Sequence, residues 1–239
     1  MQDVWNPARN QLKPDAPAEK AALALKLMDE ARDLLRQAER EQRLHARAVF
    51  GIWPAHREGD DIRVEGGRVL HSLRQQKQSK GERLALADFV APAPYPGYVG
   101  ALQLAITGGD IWAAELNAAN DSYNALLCSA LSSMLAESLA EITNHCANSI
   151  WPTEGSASIR PACGYPSQPD HAEKRTIFAL LNATEHTGAT LTEHDMMHPL
   201  SSVCALLFNH PAAKYFAVGP IGADQQADYN ARIARDGQG

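Results

Sequence analysis

The chain has 239 residues, 22 Lys and Arg against 28 Asp and Glu, and a formal charge of −6. That length is enough to bury a core without covalent staples, and 45% apolar with 21% charged residues is ordinary globular usage that excludes wholesale disorder. An acidic balance with no basic stripe argues against a nucleic-acid groove, no uninterrupted apolar run approaches the roughly 20 residues of a membrane span, and MQDVWNPARNQ has no basic-then-apolar leader pattern, so a cytoplasmic setting is expected.

Residues 1–16, polar and interrupted by Pro7 and Pro14, read as a tether, and 17–239 as one domain. Leu23, Leu27, Ala31, Leu34 and Ala38 recur at helical spacing, which predicts a long amphipathic helix over 17–44. AVFGIWPA (48–55) reads as a buried strand, followed by strand-turn-strand through 62–64 and RVLHSL. A Pro-rich loop containing Pro92, Pro94 and Pro96 introduces a further strand at 98–107. Asp121 is placed to cap a helix running to about 145, and Asp170 with Glu173 has capping-box spacing ahead of a helix to Leu181. Strands at 203–208 and 214–220 and a polar helix over 223–235 complete the pattern. The sum predicts an α+β fold, a bent and mainly antiparallel sheet covered by long helices.

Chemistry concentrates in Arg160-Pro161-Ala162-Cys163-Gly164-Tyr165-Pro166 and the following Pro169-Asp170-His171-Ala172-Glu173-Lys174. The prolines stiffen the loop, Gly164 permits close backbone approach, Arg160 offers a fork suited to a carboxylate, and Tyr165 offers an aromatic face. Composition alone leaves open a rigid surface loop whose arginine pairs with a nearby carboxylate. Four histidines with Asp195 (His171, His186, His194, His198) raise a second alternative, a metal site, although Pro199 follows H-D-x-x-H directly. The cysteines Cys128, Cys146, Cys163 and Cys204 form no CxxC pair, which disfavours a thiolate zinc site.

RPACGYPSQPDHAEK resembles the R-P-x-x-G-Y-P-x-x-P-[DE]-H-x-E-K motif of the reactivation domain of cobalamin-dependent methionine synthase. GIWPAHREGDDI (51–62), LRQQ (73–76), LADFVAP (86–92), TGG (107–109), DSYNALL (121–127), HTGATLTE (186–193) and FNHPAAKYFAV (208–218) follow in that family's order, from about Lys20 to Tyr229. The resemblance implies a domain that binds S-adenosylmethionine and docks on a cobalamin-binding domain. There the S-methyl group passes to cob(I)alamin after reduction by a flavodoxin-type donor. It assigns Arg160, Ala162, Gly164, Tyr165 and Tyr215 to the ligand, places Phe216 where the family often has a second tyrosine, and puts the carboxylates Glu137 and Glu154 near the ligand. Two departures stand out: the family's upstream W-T-P-F-like segment with its ligand-contacting Asp is not found, and Ser133-Met134 replaces an Asp-Arg pair. Those departures motivate the alternative of a non-catalytic interaction module that keeps the fold.

Overall fold

The computed structural model describes residues 17–76, 81–152 and 158–237 in full, and the backbone of Trp5–Asn6 and Gln11–Leu12. The chain divides into two compact units, one formed by residues 1–45 and 108–134, the other by 46–107 and 135–239.

In the first unit, β1 (Trp5–Asn6) pairs antiparallel with β2 (Gln11–Leu12). Helix α1 (Ala18–Arg40) has Glu19 in its first turn and Arg40 in its last, both favourable to the helix dipole. It buries Ala24, Leu34 and Ala38, while Leu23 is 57% exposed. The buried stripe therefore starts one position later than the leucine spacing suggests. The opposite face is laced by Lys26–Glu30, Arg32–Asp29 and Arg36–Asp33 pairs. Helix α2 (Gly109–Ala118) was not anticipated from the sequence. It begins after Gly108, whose φ of +92° and an ideal Cβ only 2.0 Å from the Arg43 carbonyl oxygen admit no side chain. Asp121 caps α3 (Ser122–Ser149) as expected, accepting from the Asn124 backbone N–H at 3.2 Å.

The second unit holds a six-stranded sheet. Its strands are β3 (His45–Glu58), β4 (Asp61–Val64), β5 (Val69–His71), β6 (Gly97–Thr107), β7 (Ser158–Ile159) and β10 (Ser202–Asn209), in the order β5-β4-β3-β6-β10-β7. The β3–β4, β4–β5, β6–β10 and β10–β7 pairings are antiparallel, in agreement with the predicted fold class. Central β6 is buried on both faces from Val99 to Ile106, and Gln103 is accommodated by accepting from the Thr187 hydroxyl at 2.5 Å. Helices α4 (Glu173–Leu181) and α5 (Ala183–Thr187) pack on β6, and α4 also on β10. Ile177, Phe178 and Leu181 thereby join Leu86, Phe89, Val99, Leu206 and Phe208 in one core. Strands β8 (Thr190–Leu191) and β9 (Met197–His198) form a small separate hairpin. Helix α6 (Ala223–Asp236) packs on β5, where buried Tyr229 donates to Asp170 at 2.9 Å.

Several motif residues prove to be structural clasps. Arg74 donates to Asp60 and to Asp88, each at 2.8 Å, tying the GDD turn to the short 3-10 helix Leu86–Phe89. Gln75 and Gln76 bond the carbonyls of Ala217 and Val218 at 3.1 and 3.0 Å.

Two expectations are corrected. Residues 214–220 form no ladder strand. The segment is held by those two bonds and by Val218 N–H to the Pro166 carbonyl at 2.8 Å. Its candidate partner β10 is already paired on both edges, and Gly219 at φ +83° followed by Pro220 ends the extended run. The Asp170–Glu173 capping box is also absent. Asp170 accepts from Ala172 N–H at 2.8 Å and from Tyr229, whereas Glu173, the first helical residue, turns inward and is 4% exposed. Helix α3 is the one described helix long and apolar enough to pass for a membrane span. Its Glu137 and Glu141 pair with Arg160, an arrangement suited to protein packing and costly in hydrocarbon.

Candidate functional site

A cavity of about 540 Å³ opens in the second unit, lined by Glu137, Arg160, Ala162, Tyr165, Tyr215 and Phe216 together with Cys163, Cys204 and Met197. Six of the eight residues singled out from sequence thus meet at one place. Gly164 adjoins the cavity without lining it, and Glu154 lies outside the described residues.

The loop's shape follows from its sequence. Beyond β7 the chain keeps its register with β10 through an Ala162–Ala205 bridge and the Leu206 N–H to Pro161 carbonyl bond at 3.0 Å. It then reverses tightly: Tyr165 N–H bonds the Ala162 carbonyl at 3.2 Å, and Gly164 N–H bonds the Gln168 carbonyl at 2.7 Å. Gly164 sits at φ +93°, and an ideal Cβ there would lie 2.2 Å from His171 Cε1. Its missing side chain therefore makes room for the imidazole rather than for a ligand in the cavity.

Arg160 follows β7 directly. Its backbone N–H donates to the Tyr215 hydroxyl at 2.9 Å, which fixes that ring at the rim. Its guanidinium is only 14% exposed and meets Glu141 at 2.9 Å and Glu137 at 3.6 Å, two carboxylates one turn apart on α3. The bland expectation, an arginine paired with a neighbouring carboxylate, is therefore realised together with the cavity. Tyr165 and Tyr215, at 62% and 64% exposed, present open aromatic faces, and Phe216 is braced from behind by Phe89 with ring centroids 6.2 Å apart. On the floor, Cys163 and Cys204 occupy facing positions of the register, and the Cys163 thiol is held well above its ordinary pKa by its hydrogen bond with Cys204 and by burial. Such a thiol stays protonated and is a poor nucleophile.

Glu141, Cys163, Cys204 and Met197 were missed from the sequence. Glu141 was recoverable, since it lies four residues after Glu137 on the same helix face. The histidine alternative is not realised: His194 is solvent-exposed, the Asp195 carboxylate takes Arg175 at 2.6 Å, and His171 Nδ1 faces Lys174. Among the described residues the one cluster of metal-ligand type is Asp61, His71 and Asp236, whose carboxylates are already engaged by Arg232, Arg235 and Arg63.

The arrangement offers a carboxylate-binding fork, acidic groups for a cationic centre, aromatic faces and an apolar floor, and contains no nucleophile–base pair. Residues 10–234 match the family described as "Vitamin B12 dependent methionine synthase, activation domain". The structure is similar to a crystal structure of the MetH reactivation domain bound to AdoHcy, with 37% sequence identity and a TM-score of 0.83 over 90% of this chain and 74% of that one. A match over nearly the whole length, in sequence and in fold, places this chain in the activation-domain family of vitamin B12-dependent methionine synthase.

Proposed function

We propose that the protein binds S-adenosylmethionine in the cavity at Arg160 and presents its methyl group to cob(I)alamin carried by a cobalamin-binding partner domain, in the reductive reactivation of methionine synthase. The observation that carries this reading is the convergence of Arg160, Glu137, Tyr165, Tyr215 and Phe216 on one cavity of about 540 Å³, within the range of roughly 300–1,000 Å³ usual for small-molecule sites.

The groups present fit such a ligand. It is a zwitterionic amino acid joined through a sulfonium to adenosine, so it needs a cation, anions and flat apolar surface together. Arg160 is the group to hold the carboxylate, exchanging Glu141 for it in a charge-assisted bond. Glu137 and Glu141 supply negative potential for the ammonium and the sulfonium. Tyr165, Tyr215 and Phe216 supply the surface for adenine, and the exposure of both tyrosines leaves the rim open to a partner. When bound, the ligand brings an electrophilic methyl group, and the reduced cobalt of the partner is the nucleophile. This chain's task is orientation, which needs no general base. The electron comes from a flavodoxin-type donor, in the cytoplasm.

Titration calorimetry with S-adenosylmethionine tests the reading. Saturable binding is expected, weakened about 10- to 150-fold in Arg160→Ala, the equivalent of the about 1.5–3 kcal/mol of a charged hydrogen bond. The melting temperature of the ligand-free protein should barely change, because the two partner carboxylates are solvated. No heat at millimolar ligand would refute the reading and favour a non-catalytic interaction module.

A further inference from the structure

We propose that Lys174 is a positioning residue for the ligand cavity, acting through His171 and Asp195 to hold the Arg160–Tyr165 loop and the β8–β9 hairpin in fixed relation. The proposal rests on the ligand reading above and deepens it. Lys174 is 2% exposed, although an ammonium is expensive to bury. Its hydrogen-bond acceptors here are not carboxylates. They are His171 Nδ1 at 2.5 Å and the Asp195 backbone carbonyl at 2.9 Å. An ammonium has only donors, so Nδ1 of His171 accepts.

Each acceptor belongs to a segment that shapes the cavity. The His171 ring presses against Gly164, with Cε1 2.2 Å and Nε2 2.6 Å from where a Cβ would stand. Gly164 in turn lies between cavity residues Cys163 and Tyr165. Asp195 sits at φ +59° in the hairpin turn, closed by the Thr192 N–H to Met196 carbonyl bond at 2.8 Å. Met197, the next residue, lines the same cavity. One buried charge thus anchors two separate segments that both contribute to the wall of the cavity. Arg175, the next residue of α4, grips the Asp195 carboxylate at 2.6 Å and restrains the turn from its other side.

The test uses Lys174→Met, which keeps the stem and removes the charge, with His171→Leu and His171→Asn, of which only the asparagine retains an acceptor in place of Nδ1. Hydrogen exchange on the ligand-free proteins reads the anchoring, and titration with AdoHcy reads the cavity. Lys174→Met should speed exchange in peptides covering 160–168 and 190–198 while leaving 97–107 unchanged, and should weaken AdoHcy by about tenfold or more. His171→Leu should match Lys174→Met in the exchange of 160–168 and in affinity while 190–198 keeps its bond to Lys174, and His171→Asn should recover most of the affinity. If Lys174→Met does not fold, the two His171 variants decide by the 160–168 exchange and the affinity. Unchanged exchange in either segment of Lys174→Met or in 160–168 of His171→Leu, equal acceleration in 97–107, or a His171→Asn as impaired as His171→Leu would overturn the proposal. A parent protein that binds no AdoHcy yet shows the local exchange pattern in its variants would refute the ligand reading and support the anchoring.

Discussion

Replacing Glu173 by glutamine should make the stability of the protein less sensitive to alkaline pH. Glu173 opens α4, is 4% exposed, and keeps one carboxyl oxygen, Oε2, buried without a partner. Burial pushes its pKa up from an ordinary 4.5 to about 8. The nearby Asp170 and Asp61 push the same way, and the His71 backbone and Arg232 pull against them. The folded value lies above the unfolded one, so the folded state retains a proton that the unfolded chain has already released. The contribution is therefore fully present below about pH 4.5 and is lost as pH rises through about 8. At about 1.4 kcal/mol per pH unit, the interval from 4.5 to about 8 corresponds to a loss of the order of 5 kcal/mol at most. Glutamine is neutral throughout and keeps an acceptor for the His71 backbone. At about 2–4 °C per kcal/mol for a chain of this size, Glu173→Gln should melt several degrees to ~10 °C above the parent at pH 8.5. At pH 5 the two should melt nearly together. Thermal melts followed by circular dichroism at both pH values provide the comparison. A difference of the same size at both would show that Glu173 does not carry its proton into the folded state.

Two further outcomes follow from the geometry. Glu137→Gln should weaken S-adenosylmethionine about 1.4- to fivefold relative to AdoHcy, because only the former bears a sulfonium, and an exposed carboxylate contributes about 0.2–1 kcal/mol; paired titrations read this, and an unchanged ratio would place Glu137 away from the sulfur. Gly108→Ala forces a side chain into a left-handed position against the Arg43 carbonyl, at about 1–2 kcal/mol for the backbone alone, and should lower the melting temperature by several degrees; a shift under about 1 °C would contradict the packing at the start of α2.

What the sequence disclosed tracks what a local pattern can encode. Strands β6 and β10 are continuous apolar runs buried between neighbours, and α3 carries its own cap at Asp121, so both kinds of element are written locally. Helix α2 was missed because its start depends on Gly108 packing under the Arg43 carbonyl, a contact between distant segments. Glu173 was misread for the same reason. D-x-x-E spacing is a helix-start signal, but here Asp170 is claimed by Tyr229 of α6 and the glutamate is drawn into the interior. The ordered motifs contain most of the residues that line the cavity at Arg160, yet they could not separate residues that line it from those that brace it. Gly164 belongs to the second group through His171, and Gln75 and Gln76 through the carbonyls of Ala217 and Val218.

Methyl transfer to the partner's cobalamin can be followed with an isotopic label. S-Adenosylmethionine carrying an isotopically labelled methyl group would be mixed, under reducing conditions, with a separately produced cobalamin-binding domain of methionine synthase, with and without this protein. Label is expected on the cobalamin fraction only when this protein is present, and much less when Arg160→Ala replaces it at sub-saturating ligand. Label appearing equally without the protein, or a protein that binds the ligand and leaves the cobalamin unlabelled, would contradict it.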